Sequence, residues 1–347
     1  MPQPLGLTAL RLLKSLAINR GDRLAAAAYA EGTCWLDGHQ IAAHLKADVA
    51  ALSSADGLAS AVPADLLAAL RSTTVLGRLP GVRRVPMNVQ LLSQTGRTRA
   101  HWVSEGATKT PTVGAYTGEH FTPLKVAALT VANDEVLRLA SFDVEQTLLA
   151  DLLDACRDAI DASFLDPANS GVPDEMPPSV TSLGQTIPAS GDLDADLGLA
   201  IAQLSASGGS LGSSTWVMPR VLAARLSLLR GADGAPMYPL LGGPAPYLAG
   251  RPVLTTDALA EDSDGGSFIT LIDGRAIGLA EGAPELRVSR QATITMEDPD
   301  ADPPTSGQVS LFQANATALL AEIPCDWRLR VAGAVQTIVG VTSEVQS

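Results

Sequence analysis

"RTRAHWVSEGATKTPTVGAYTGEHF", Arg97 to Phe121, mixes β-forming residues with charge, Gly and Thr and never builds an apolar face. In "RTRAHWVSE", Arg97, Arg99, His101 and Val103 alternate against Thr98, Ala100 and Trp102. "ATKTPTVG" supplies turn chemistry, and "AYTGEHFTPLKVAALTVA" returns as a strand that becomes apolar from Leu124 onward. The pattern predicts a long hairpin whose base is anchored in a core and whose arms are not. An isolated two-stranded hairpin is marginal in water, so such arms are ordered by another chain or are mobile. A long disordered surface loop is the plainer account, but loops of this length are uncommon without a function.

Outward from this stretch the chain alternates helical and strand patterns, an α+β layout. "FDVEQTLLADLLDACRDAIDASFL", Phe142 to Leu165, puts Val144, Leu148, Leu149, Leu152, Cys156, Ile160 and Phe164 on one stripe. Glu145, Asp151, Asp154, Asp158 and Asp161 face away, and Asp143 with Gln146 forms a capping box. Upstream, residues 5–30 read as one Ala/Leu-rich helix, and Ala47 to Ala69 as a low-complexity helical extension or linker. Composition shifts at "TTVLGRLPGVRRVPMNVQ". Downstream, "DLDADLGLAIAQLSAS" and "PRVLAARLSLLRG" read as helices, with "STWVM", "RPVLTT" and "SFITLID" as strands. In "ELRVSRQATITM", Leu286, Val288, Ala292, Ile294 and Met296 share one side. The last segment reads as two strands around Pro324, and no internal repeat is present.

A chain of 347 residues can bury one large core or two modest ones. Its net charge of −13 argues against a nucleic-acid-binding surface, which needs Lys and Arg to displace counterions. The same charge suits a protein that sits near DNA, or at high local concentration, without sticking; on charge alone, plain solubility is the better account. Cys34, Cys156 and Cys325 are widely spaced, which points to reduced thiols in a cytoplasmic chain. "VAGAVQTIVGV" is too short to span a bilayer, so a soluble protein without a membrane partner is expected.

Catalytic chemistry is suggested and then fails. "GGSLG" places Ser210 in a nucleophile-elbow pattern, but a helix precedes it and the last histidine is His120. "DPDADPPTSGQV" and "DLDADLG" lack the Gly and Glu of a calcium loop. His39 and His44 lie at helical spacing without metal-ligating companions. Neither GxxxxGK[ST] nor GxGxxG occurs, so no enzyme, cofactor or metal is expected.

The order of segments nevertheless carries a resemblance. "PGVRRVPM", the polar hairpin with "HWVSEGATKTP", the long helix, "STWVMPRVLAARLSLLRGADGAPMY", "LAGRPVLTT", "GSFITLIDGRAIGLAE" and "LFQANATALLAEIPCDWRL" follow one another from about Thr73 onward. This resembles the major capsid proteins of tailed bacteriophages, the Hong Kong 97 fold. The resemblance implies an N-terminal arm (73–92), an extended hairpin or E-loop (93–124) and a peripheral domain with a spine helix (125–189). An axial domain (190–296) and a return to the peripheral sheet (297–347) complete the expected layout.

It further implies a structural protein that self-assembles into pentamers and hexamers of an icosahedral head around phage DNA, built in the bacterial cytoplasm and found in the virion. Arg97, Arg99, Trp102, Glu105, Lys109 and Glu119 would be E-loop contacts to a neighbouring subunit. Some capsids of this fold join an E-loop lysine to an asparagine of another subunit, and Lys109, Asn315 and Glu322 fall at matching positions as amine, carboxamide and base. Residues 1–72 would be a helical extension, either a scaffold removed by a maturation protease or a retained arm. Scaffold, portal and decoration proteins are the further implied partners. An encapsulin-type nanocompartment shell is the close alternative, and a hydrolase using Ser210 the distant one.

Overall fold

A computed structural model describes residues 6–33, 35–47, 61–87, 89–96, 100–106, 108, 111, 113–135, 142–231, 234–259, 267–298 and 305–341. Cys34, Arg97, Arg99 and Lys109 lie outside the described residues, as do residues 48–60 of the expected linker and the side chains of Asp143 and Gln146.

Among the described residues, helices come first: α1 (Leu7–Ile18), α2 (Arg23–Gly32), α3 (Gly38–Ala47), α4 (Ala61–Thr73) and α5 (Val75–Arg78). Strands β1 (Arg83–Val85), β2 (Leu91–Gly96), β3 (Ala115–Glu119) and β4 (Lys125–Asn133) lead to the long helix α6 (Phe142–Leu165). Then come α7 (Val180–Leu183), β5 (Gln185–Pro188), α8 (Leu193–Ala206), β6 (Ser214–Pro219) and α9 (Arg220–Leu228). Strands follow: β7 (Tyr247–Leu248), β8 (Arg251–Thr256), β9 (Ser267–Asp273), β10 (Ile277–Glu281), β11 (Glu285–Ser289) and β12 (Thr293–Asp298). The last are β13 (Thr305–Ser310), β14 (Ala316–Leu329) and β15 (Val335–Val341).

The chain divides into two units. The first takes Met1–Arg78, Lys125–Ala162 and Ala283–Pro324. At its centre β14 runs antiparallel to β4, from Ala316 opposite Asn133 to Pro324 opposite Lys125, and to β11, with Glu322 opposite Glu285. The expected stripe of α6 is present where side chains are described: Leu152, Cys156 and Ile160 are buried. Leu152 and Cys156 share one cluster with Ala9, Leu12, Leu16, Ala128, Ala321 and Ile323, so the amino-terminal helices and the sheet form a common core. Helix α1 is buried nearly all round, Arg11 and Lys14 included. Arg11 pairs with Asp37 at 2.8 Å, and both cations lie over the Trp35 ring, at 5.3 and 5.8 Å. Pairing and the aromatic face offset the desolvation of these two charges.

The second unit takes Leu79–Leu124, Ser163–Gly282 and Cys325–Ser347. A six-stranded sheet runs β5-β15-β9-β6-β8-β7. Its strand β6 is buried along its whole length between β9 and β8, which is why Trp216, Val217 and Met218 run apolar without alternation. Trp216, Leu204, Ile269 and Ile338 are fully covered in its core. Phe164 meets Trp327 edge-to-face at 5.4 Å, and the Trp327 indole donates to the Pro178 carbonyl at 2.8 Å.

Several expectations are corrected. The helix expected over 5–30 is two helices, because Arg20 (φ 57°) and Gly21 (φ 81°) adopt left-handed backbone and Asp22 caps α2 through the Leu24 and Ala25 amides. "ELRVSRQATITM" is two strands in different sheets, β11 on β14 and β12 on β13. Pro324 does not divide two strands but lies inside β14. Its missing N–H falls where the pairing of β14 passes from β11, whose last partner on it is Glu322, to β10, whose first is Cys325. Asp161, expected to face away, is buried and accepts the Val75 amide at 2.9 Å at the start of α5. Strand β15 pairs with β9 and β5 in the six-stranded sheet, not with the strands flanking α6.

Candidate assembly surfaces

The hairpin is shorter in ladder than its sequence pattern predicts. Strands β2 and β3 pair from Leu91 opposite Glu119 to Gly96 opposite Ala115, with a register shift between Gln94 and Gly96. The described residues Ala100–Gly106, expected as a strand, hold no ladder. They have no apolar face to bury within one chain, so nothing maintains the pairing there.

The base of the hairpin is anchored. Leu91 (1% exposed) packs with Phe121 and Ala280. Gly278 on β10 makes the room: a Cβ at that position would stand 2.4 Å from Leu91 Cδ2. Thr122 donates its amide to Asp326 Oδ2 at 2.8 Å, which fixes the chain leaving β3. Burial pushes the Asp326 carboxyl above its ordinary value, an effect opposed by the Thr122 amide and by Arg328. The hairpin was legible in the sequence, but these anchors were not; the one available signal was a glycine inside the strand pattern "RAIGLAE".

Beyond the base, apolar groups face solvent. Trp102 is fully exposed, Val113 is 93% exposed, and Leu92 and Tyr116 are exposed by more than half. Glu105 is exposed at a turn with Gly106 (φ 79°), whereas Glu119 is half-buried in β3. Trp102, Glu105 and Glu119 are the described members of the expected contact set.

Asn315 and Glu322 are not brought together in one chain. Asn315 (φ 50°) closes the turn before β14, and Glu322 lies far along that strand opposite Glu285. At about 3.3 Å per residue, their separation is on the order of 20 Å. Glu322 is already engaged: Lys125 Nζ donates to it at 2.6 Å, and Arg287 lies 3.6 Å away. The Lys125 hydrogen bond is the main cause that holds its carboxyl below the usual range.

Ser210 has no catalytic setting. Its amide donates to Asp273 Oδ2 at 2.7 Å and the Ser213 hydroxyl to Oδ1 at 2.6 Å, so Asp273 ties the loop in place. Helix α8, not a strand, leads into it, and the hydrolase alternative falls here. His39 and His44 both lie in α3, and among the described residues no group of three or more His, Cys, Asp or Glu could hold a metal ion. Among the same residues no helix is long and apolar enough to cross a membrane.

Comparison with known proteins returns capsid sequences and structures. The Capsid polyprotein of Pseudomonas phage PAJU2 is 32% identical over 316 residues, covering 85% of this chain. The chain spans about half of that relative, 47% of its length. Among solved structures, a chain from Gordonia phage Cozz superposes with a TM-score of 0.57 at 18% identity, over 77% of this chain and 86% of that one. A chain from the capsid of an empty GTA particle does so with a TM-score of 0.53 at 18% identity, over 78% and 90%. These two likenesses speak for a shared α+β capsid fold. The sequence model of the phage capsid family matches residues 57–340, and the chain belongs to that family.

Proposed function

We propose that copies of this chain assemble, through pentamers and hexamers, into the icosahedral head of a phage, a structural and not an enzymatic role within the virion. The observation that carries the reading is the hairpin: anchored at Leu91 and Phe121, it holds Trp102 and Val113 in solvent, uncovered by the described residues. A neighbouring copy supplies that cover, and heterologous contacts of this kind close into shells. The net charge of −13 suits an inner wall that encloses DNA without holding it. Scaffold, protease, portal and decoration proteins are partners in the same reading. Electron microscopy of the purified protein is the test: closed particles or capsomer rings support it, and a stable monomer under all assembly conditions refutes it.

A covalent step belongs to the same proposal. A deprotonated Lys109 amine of one copy would attack the Asn315 carboxamide of another, forming an isopeptide bond and releasing ammonia. The separation described above requires Glu322, as base, to come from a copy other than the one holding Asn315. Ladders of linked subunits on a denaturing gel support the step, and a single monomer band excludes it. For the amino-terminal helices, retention is the favoured alternative, since Ala9, Leu12 and Leu16 share a core with Ala321 and Ile323. Mass spectrometry of subunits from mature particles decides between retention and removal.

A further inference from the structure

The turn between α1 and α2 borders a cavity of about 490 Å³, walled by Arg20, Asp134, Arg290, Gln291, Phe312 and Asn315, all in the first unit. Its charges are unequally matched. Arg290 ion-pairs with Asp134, which is buried and also accepts the Thr317 hydroxyl at 2.5 Å. The Asp134 charge is thereby engaged. Arg20 is exposed and has no ion-pair partner among the described residues. The cavity thus presents a free guanidinium, a second one only partly used, and the amides of Gln291 and Asn315. Guanidinium groups match a carboxylate in geometry and charge, and a pair formed partly out of water gains more than a surface pair. At the rim, Phe312 is 79% exposed.

We propose that this cavity is a socket for an acidic side chain of a second copy of the chain, and that Glu105 at the turn of the hairpin fills it. Glu105 is exposed and lies three residues beyond the fully exposed Trp102, an aromatic group matched in kind to Phe312. Acid to guanidinium and aromatic to aromatic, the two surfaces are complementary. The inference rests on the shell reading and extends it, because Arg20 makes the amino-terminal helices part of a contact between copies.

Charge exchange tests it. Arg20→Gly suits the left-handed backbone at that position and removes the whole side chain, guanidinium included, without backbone strain; Arg20→Glu and Glu105→Arg reverse one partner each. The readout is the protein concentration at which particles form, measured by sedimentation and electron microscopy beside the wild type. Thermal unfolding of the same unassembled subunits controls for folding. Each single change is expected to raise the threshold about tenfold, equivalent to about 1.4 kcal/mol per contact. The double variant Arg20→Glu/Glu105→Arg should return it near the wild-type value. Wild-type thresholds for both Arg20 variants overturn the proposal, including the case in which the cavity takes a nucleic-acid phosphate instead. Loss of assembly that Glu105→Arg does not rescue overturns the choice of occupant. Absence of particles from the wild type refutes the shell reading itself, and this inference with it.

Discussion

Gly278→Ala places a methyl group 2.4 Å from Leu91 Cδ2, at the contact that anchors the hairpin. Carbon atoms in contact sit about 3.5–4.0 Å apart, so the leucine must retreat by more than about 1 Å. Its neighbours Phe121 and Ala280 are themselves buried, so the retreat meets packed atoms. Overpacking of this kind costs about 1–3 kcal/mol. Leu91→Ala fails in the opposite sense: it empties a buried site and costs about 2–5 kcal/mol. In the double variant the methyl at 278 occupies space that the leucine has left, so the combined loss should fall short of the sum by about 1 kcal/mol or more. Urea unfolding of unassembled subunits measures the four corners of this cycle, and protease cleavage within the hairpin reports local opening of its base. Strictly additive losses would mean that Leu91 and Gly278 do not share one volume, and the account of the anchor would be wrong.

Further outcomes follow from single contacts. Trp102→Ala should leave subunit stability within about 0.5 kcal/mol of wild type while weakening assembly; a large drop in the unfolding midpoint would show that Trp102 is already covered within one chain. Asp161→Ala strands the buried Val75 amide and should cost about 1–3 kcal/mol in denaturant unfolding, and no loss would contradict that bond. Asp326 has its folded-state pKa raised by burial, so its protonation favours the folded form. Its contribution to stability should improve as pH falls through the raised value toward the ordinary carboxylate range, and Asp326→Asn should flatten that part of the profile; parallel pH profiles for the two proteins would refute the assignment. The Cys156 thiol, buried and pushed up to about 11, should react with a maleimide only after unfolding or removal of the amino-terminal helices, and rapid labelling of the intact chain would argue against their tight packing.

What the sequence disclosed, and what it hid, follows the range of each interaction. The stripe Leu152, Cys156, Ile160 was legible because helical periodicity is local and the core cluster rewards it directly. The hairpin was legible through its missing apolar face. Pro324 was misread because its breaking power depends on whether a ladder needs its N–H, and that is set by where Glu281 of β10 and Glu285 of β11 fall along β14. The destination of β15 was hidden for the same reason: its apolar run pairs with β9, and no local pattern names the partner. Asp161 shows the limit of amphipathic reading, since one buried amide reverses the side on which an acid belongs. Asn315 and Glu322 were joined by a matching of positions, and a fully extended strand then held them apart.

The shared cluster that joins Ala9, Leu12 and Leu16 to Ala321 and Ile323 has a kinetic consequence. Helix α1 precedes β14 by most of the intervening sequence, so it cannot complete this packing until that strand has been synthesised. Contacts of such wide sequence separation must overcome loop-closure entropy before they are rewarded, which slows folding. During synthesis the leucines of α1 therefore lack part of their cover until β14 appears, and chaperone capture of nascent chains should concentrate on that helix.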